Sequence, residues 1–362
     1  MLKNEPKRRI MKKTLKKGVI AMMVIRGVVG NVDGQDIHYT QWEHIRLWQN
    51  SAYVGSGVSG SYKVGLMHRS QWGNVMSRGY ETSGLVGELR LEGGDRGYWG
   101  IGLLVNQDVA GYSTYRQTNV ELLMGYHLKV GERSWLSAGL NSGLWMHRLD
   151  ETKLQFGNQY DANGYNSGIS SGESVSAGGR TMGEVGGGVS YRWMDESRER
   201  GIERNDNSGL SVEIGGSMRH INRMGYSLTG EGTRLGIRTN VQLMIHYGLA
   251  EGKIGLRPGI WYMGQQGSRE NMIGMDVRYF VKEGDGSGKL SGMALSGGLW
   301  YRMGDALSPV IQLEIGSIRV HMSYDINNSD LRQVSRGRGG FEIGLVYQGS
   351  NPFGGKAQSR FD

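Results

Sequence analysis

The arrangement nearest to a catalytic one in this chain is His321, Ser323 and Asp325. A hydroxyl nucleophile needs an imidazole within hydrogen-bond reach and a carboxylate behind that imidazole. These three occur at every second position, which in an extended segment places them on one face at steps of about 7 Å, too far apart to bond. No catalysis is expected from them. The 8 histidines include no H-E-x-x-H pair or other ligand spacing, so no metal site is expected. With 0 cysteines, disulfides, thiolate ligands and a cysteine nucleophile are excluded. Short runs such as Gly230-Glu231-Gly232 lack the strand-to-helix setting that phosphate binding requires. The expectation is a protein without a cofactor that is not an enzyme.

The elements around that trio explain its spacing better than chemistry does. From Ser317 to Gln348, Ile318, Val320, Met322, Tyr324 and Ile326 alternate with Arg319, His321, Ser323 and Asp325. Phe341, Ile343, Leu345 and Tyr347 then alternate with Glu342, Gly344 and Gln348. Period two gives each strand one apolar and one polar face. A soluble sheet would turn the apolar face to a core and a membrane barrel would turn it to lipid, so one hairpin leaves both open.

The rest of the chain favours lipid. Glycine supplies 62 of 362 residues with only 4 prolines and no collagen period, and many glycines lie inside alternating segments where helix would suffer. No window is apolar enough for a membrane helix, but barrel strands are only half apolar. Fourteen alternating segments are read near 60–69, 82–91, 97–106, 117–130, 134–148, 181–194, 208–220, 235–250, 252–264, 270–282, 290–303, 307–316, 317–326 and 339–348. Their apolar rows, such as Leu122-Met124-Tyr126-Leu128 and Leu136-Ala138-Leu140, carry aromatics toward the ends, where interfacial girdles belong. A sandwich would have to find a partner for every such row, whereas hydrocarbon covers them all. The fold expected is an all-β, transmembrane, antiparallel up-and-down barrel of about fourteen strands with both termini periplasmic.

The opposite rows point to the lumen. They carry Glu121, Lys129, Glu184, Arg192, Glu213, Arg219, Arg257, Asp276, Arg278, Arg302, Glu314 and Arg319. Unpaired charge in a narrow lumen is costly, so ion pairs are expected, as between Glu213 and Arg219 or Asp276 and Arg278, in a plugged or narrow lumen. A water-filled porin or small-molecule channel is the rival. Connections after even-numbered strands are mostly short, Asp195 to Asn207 being the exception. Those at Asn106–Thr118, Glu151–Arg180 and Ile326–Arg338 are longer, and the long set is expected outside the cell.

The formal charge of +8 owes much to Lys3–Lys17, ahead of an apolar run from Gly18. This pattern suits an export signal over 1–34 better than a nucleic-acid surface; an amphipathic helix of a cytoplasmic protein is the alternative. Residues 35–59 then form a periplasmic or lumenal segment, 60–348 the barrel and 349–362 a tail.

Gln35-Asp36, Asn50-Ser51-Ala52-Tyr53-Val54-Gly55 and Arg69-Ser70-Gln71-Trp72 resemble the opening of the PorP/SprF family of type IX secretion outer-membrane proteins. The likeness continues through Gly100 to Asp108, Phe156-Gly157-Asn158-Gln159-Tyr160-Asp161, Tyr324-Asp325 and Gly339-Gly340-Phe341-Glu342. Ser51 stands where that family carries proline. The resemblance makes Asn50, Ala52, Tyr53, Gly55, Arg69, Gln71, Trp72, Asp108, Gln159, Asp161, Tyr324, Asp325 and Glu342 the motif positions. It implies an outer-membrane component of Bacteroidota that assists secretion or surface anchoring of cargo, including gliding or adhesin-type cargo, through the cargo's C-terminal sorting domain. The partners it implies are the outer-membrane lipid bilayer, the cargo and other type IX components, with no nucleic acid.

Overall fold

The computed structural model describes residues 36–56, 62–73, 79–92, 96–111, 114–161, 164–172, 179–198, 207–225, 234–282, 292–330 and 332–349. The expected signal, and the tail beyond Gly349, lie outside the described residues. The alternating segments form fourteen strands: β1 Tyr62–Gln71, β2 Tyr80–Glu92, β3 Gly97–Ala110, β4 Tyr115–Gly131, β5 Ser134–Arg148, β6 Arg180–Met194 and β7 Leu210–Arg219. They continue as β8 Arg238–Leu249, β9 Ile254–Gln265, β10 Ser268–Lys282, β11 Met293–Arg302, β12 Ala306–Ile315, β13 Ile318–Asn327 and β14 Arg338–Gly349. Each pairs antiparallel with its neighbour in sequence, and β14 pairs with β1 to close the barrel.

The molecule is inside-out relative to a water-soluble protein. Leu122 and Leu140 are 66% and 67% exposed, while the adjacent Glu121 and Asn141 are 0% and 3% exposed. Displaying leucine is costly in water but not against hydrocarbon, while the buried Glu121 is compensated by Arg219 and the Asn141 amide. Outward aromatics follow the strand ends: Tyr62, Trp99, Tyr126, Tyr191, Tyr247, Tyr279 and Tyr347 lie toward the end where β1 begins and β14 finishes, and Tyr301, Tyr324 and Phe341 toward the other. Among the described residues no helix is long and apolar enough to cross a membrane.

Register sets acids against bases. Arg69 stands opposite Glu342, Arg192 opposite Glu213, Arg257 opposite Asp276 and Glu314 opposite Arg319. The long connection 149–179 contains the short pair Tyr160–Asp161 and Gly164–Tyr165. The expected long loop Asn106–Thr118 needs correction, because β3 and β4 stay in register from Asn106 opposite Asn119 to Ala110 opposite Tyr115. Polar residues there looked like loop, but a ribbon rising past the membrane needs no apolar face.

The core lies inside the lumen, built by residues 36–56. Trp48, Ile45, Leu47 and Val54 pack with wall residues Leu104, Leu123 and Trp145, and Trp42 packs with Trp261, Met263, Met272 and Trp300. The segment makes one helical turn, Arg46–Gln49, and a 3-10 turn, Ser51–Tyr53, started by Asn50, whose side chain accepts a hydrogen bond from the Ala52 N–H. Two wall glycines permit its close approach: a Cβ at Gly139 would collide with the Ser51 carbonyl, and one at Gly188 with the Asn50 side chain. The segment enters beside Arg238, His220 and Gln265 at the loop-bearing end and descends to Gly55 beside Glu88 near the start of β1. The expected shared end therefore describes where β1 begins and β14 finishes; Asp36 lies at the opposite end.

Candidate functional site

The site is the contact between this plug and the lumenal faces of the strands. Its densest part is a latch around Arg69, whose guanidinium reaches Asp325 at 2.7 Å and Glu342 at 3.0 Å and donates to the Thr40 hydroxyl at 2.9 Å. Glu342 accepts the backbone N–H groups of Thr40 and Gln41, both at 2.9 Å, and the Thr40 hydroxyl donates to Asp325 at 2.8 Å. Asp325 also accepts from Ser308 at 2.7 Å and pairs with Arg302, which reaches Asp305 at 2.7 Å. Each carboxylate therefore holds both a strand and the plug.

The His321, Ser323 and Asp325 ladder belongs to the same contact. The His321 Nδ1 lies 2.8 Å from the Gln41 side-chain oxygen, Ser323 accepts from the Gln41 amide at 3.2 Å, and Asp325 takes Thr40. One polar row thus reads three groups of the plug.

Two further clusters fix the plug. Asp36 pairs with Arg238 at 3.0 Å and lies 2.7 Å from His220; burial pushes its carboxyl up, but His220 and Arg238 outweigh this and hold it well below the usual range. Beneath it Arg219 joins Glu121 and Glu184, and the guanidinium groups of Arg219 and Arg238 lie 4.4 and 4.6 Å from the Trp48 ring centre. Lower down, Glu213 is shared by Arg46 of the plug at 2.5 Å and Arg192 at 3.1 Å. The Gly55 N–H donates to Glu88 at 2.9 Å, and Glu88 also pairs with Lys63. Asn50 donates to the carbonyls of Val189 and Gly216 at 3.1 and 3.3 Å, borrowing acceptors from the wall itself.

The remaining residues named from sequence divide between wall, rim and loop. Arg278 pairs with Glu314 at 2.7 Å, and Asp276 accepts from the Trp300 indole at 3.2 Å. Neither expected pairing, Glu213 with Arg219 or Asp276 with Arg278, forms: Glu213 takes Arg192, its register partner, while Arg219 and Arg278 reach acids on other strands that are not their register partners. Lys129 continues the lumenal row of β4 past His127 but lies exposed at the mouth where β1 begins, its ammonium 5.9 Å from the ring centre of Trp135, its register partner. Ala52 and Tyr53 are buried in the plug, and Gln71 is buried at the end of β1. Trp72 follows with φ 57° and packs edge-to-face on Tyr80. Asp108 accepts from Thr82 at 2.6 Å, and Tyr324 faces outward. Gln159 ties Phe156 to Ile169, and Asp161 accepts from Asn166 at 3.1 Å, so these two order the long loop. Sequence reasoning missed Asp36, Thr40, Gln41 and Arg46, which lie in a plug without period and could have been marked only by their nearness to the Gln35-Asp36 opening, and His220 and Arg238, far away in sequence at strand ends, for which no local signal exists.

The plug should loosen in acid. His44 stacks on His321 with ring centres 3.8 Å apart, and burial, with His321 and Arg319 adding to it, holds its imidazole well below the ordinary value of 6.5. The seated plug therefore binds fewer protons than the released one, so this contribution is complete above pH 6.5 and is lost as pH falls below it. Amide protection factors across residues 36–56 should drop between pH 7.5 and 5, and His44→Gln should flatten that dependence. Equal protection at both pH values would count against it.

Comparison with known proteins places this architecture. No curated protein matches in sequence. Among solved structures, a TodX deltaS2S3 mutant monoaromatic hydrocarbon channel aligns at 11% identity over 83% of this chain and 92% of that chain, with a TM-score of 0.50. The CymD monoaromatic hydrocarbon channel aligns at 11% identity over 85% and 93%, with a TM-score of 0.46, and the Pseudomonas putida toluene transporter TodX at 10% over 86% and 93%, with 0.48. At such identities the likeness is one of fold, the outer-membrane barrel. Residues 31–347 match the family described as type IX secretion system membrane protein PorP/SprF, which covers the plug and the strands up to Tyr347 of β14. The chain belongs to the PorP/SprF family of type IX secretion system membrane proteins and is an outer-membrane β-barrel.

Proposed function

We propose that the protein is a non-enzymatic component that assists secretion of particular cargo proteins, or their retention on the cell surface, through the cargo's C-terminal sorting domain. It would act alongside other type IX secretion components, and gliding or adhesin-type cargo suits the role. The observation that carries this reading is the occupied lumen: residues 36–56 bond to strands around the wall, which leaves the loops as the surface through which the protein acts. The end where β1 begins and β14 finishes faces the periplasm, and the opposite end presents Glu151–Arg180, Ile326–Arg338 and the ribbon tip Gly111–Thr114 to cargo. The membership in a type IX family supports this.

Deleting residues 151–180 should shift cargo from the cell surface to the medium while the barrel still resists heat denaturation in detergent. Cargo that stays attached would remove the loop from the reading. The rival channel function predicts steady conductance from the purified wild-type protein in a planar bilayer, whereas a seated plug should give none.

A further inference from the structure

A cavity of about 280 Å³ lies below the plug at the end where β1 begins and β14 finishes. Its lining is cationic, with Arg46, Lys63, Arg192, Arg198, Arg257 and Arg319 against two carboxylates, Glu43 and Glu213. Glu43 of the plug lines the same space, and Asp276 stands opposite Arg257 in the register; the other acids close by are already divided. Glu213 serves both Arg46 and Arg192, Glu88 takes Lys63, and Glu314 is bound by Arg278 at 2.7 Å, leaving Arg319 at 3.6 Å, beyond a hydrogen bond. Arg257 makes its hydrogen bond to the Ser296 hydroxyl at 3.3 Å, and the Nε–H groups of Arg257 and Arg319 are enclosed without a hydrogen-bond acceptor. Six cations against two carboxylates leave the lining with a net positive charge, which a bound anion would offset.

We propose that this cavity is an anion site for a soluble phosphate-bearing molecule, held by Arg257 and Arg319 of the wall against the plug. Guanidinium forks suit phosphate oxygens in paired, planar contacts. The volume falls near the lower end of the roughly 300–1,000 Å³ range of small-molecule pockets, so the ligand is larger than one phosphate ion and of diphosphate or sugar-phosphate size. Closed strands separate the cavity from hydrocarbon, so the ligand arrives through the mouth and is not a lipid headgroup in the bilayer. His44 and Arg46 of the plug line the same space, so a bound anion would bridge plug and wall and favour the seated plug. This inference does not depend on the cargo role.

The test is calorimetric titration of the detergent-purified full chain with pyrophosphate at constant ionic strength. Saturable binding at one site per chain is expected, weakened at least tenfold in Arg257→Gln/Arg319→Gln and unchanged in Lys153→Gln, whose lysine sits on the long loop. Arg257→Lys, which keeps the charge and loses the fork, should fall between and guards against a double variant that fails to fold. Short-chain phosphatidylglycerol as competitor separates the sources: no displacement of pyrophosphate is expected. No saturable binding, equal weakening by Lys153→Gln, or displacement by the lipid would overturn the proposal.

Discussion

Replacing Arg69 with methionine should unseat the plug while the barrel stays closed. Arg69 is 2% exposed and links Asp325, Glu342 and Thr40, so its removal leaves Glu342 without its cation and takes one of two arginines from Asp325. Leaving a buried charge unpaired costs about 3–5 kcal/mol. The barrel can avoid that cost cheaply, because strand pairing runs around the whole wall while Thr40 and Gln41 are joined to Glu342 only through N–H bonds. Undocking lets water reach both carboxylates. The 0 native cysteines make the measurement clean: a single cysteine at Gln49, which is 1% exposed, should be protected from maleimide in the parent and labelled in Arg69→Met. Bilayer conductance should appear in step with labelling. Arg69→Lys should give an intermediate result, since one ammonium cannot hold two carboxylates in fork geometry. Slow labelling and no conductance in Arg69→Met would mean that the apolar contacts of Trp42 and Trp48 hold the plug alone.

What could be read from the sequence follows from where period two applies. The fourteen strands and their apolar rows were legible because lipid imposes one rule on every strand, and Leu122, Met124, Leu136 and Leu140 obey it. The lumen was legible as a set of charges but not as pairs. Arg219 finds Glu121 and Glu184 through a register and curvature that no local pattern encodes, and Arg278 reaches over a neighbour to Glu314. The plug was least legible. Residues 36–56 carry no period, and their conformation is set by wall residues far away in sequence, such as Glu342 for Thr40 and Val189 for Asn50. Family resemblance marked Asn50, Arg69, Asp325 and Glu342 without saying why they belong together. The structure supplies the reason, since Arg69, Asp325 and Glu342 converge on Thr40 and Gln41 while Asn50 reaches the opposite wall.

The same physics fixes what an outward-facing position tolerates. Leu140 lies midway along β5, opposite Gly187 on one side and Met124 on the other, and is 67% exposed. In a water-soluble protein, arginine at so exposed a position would change stability by less than about 0.5 kcal/mol. On a lipid face at mid-depth it should cost about 2–4 kcal/mol, because the guanidinium must either thin the bilayer or enter it unsolvated. Leu128→Arg, near the end of β4 and the aromatic Tyr126, should cost only about 0–1 kcal/mol, since the side chain reaches the interface. Denaturant titration in phospholipid vesicles, with folded barrel read by gel mobility, separates the two expectations. A depth-dependent loss at Leu140 requires hydrocarbon against that row, whereas equal and small effects at both positions would mean that water or protein covers it, and the membrane reading of the strands would fail with it.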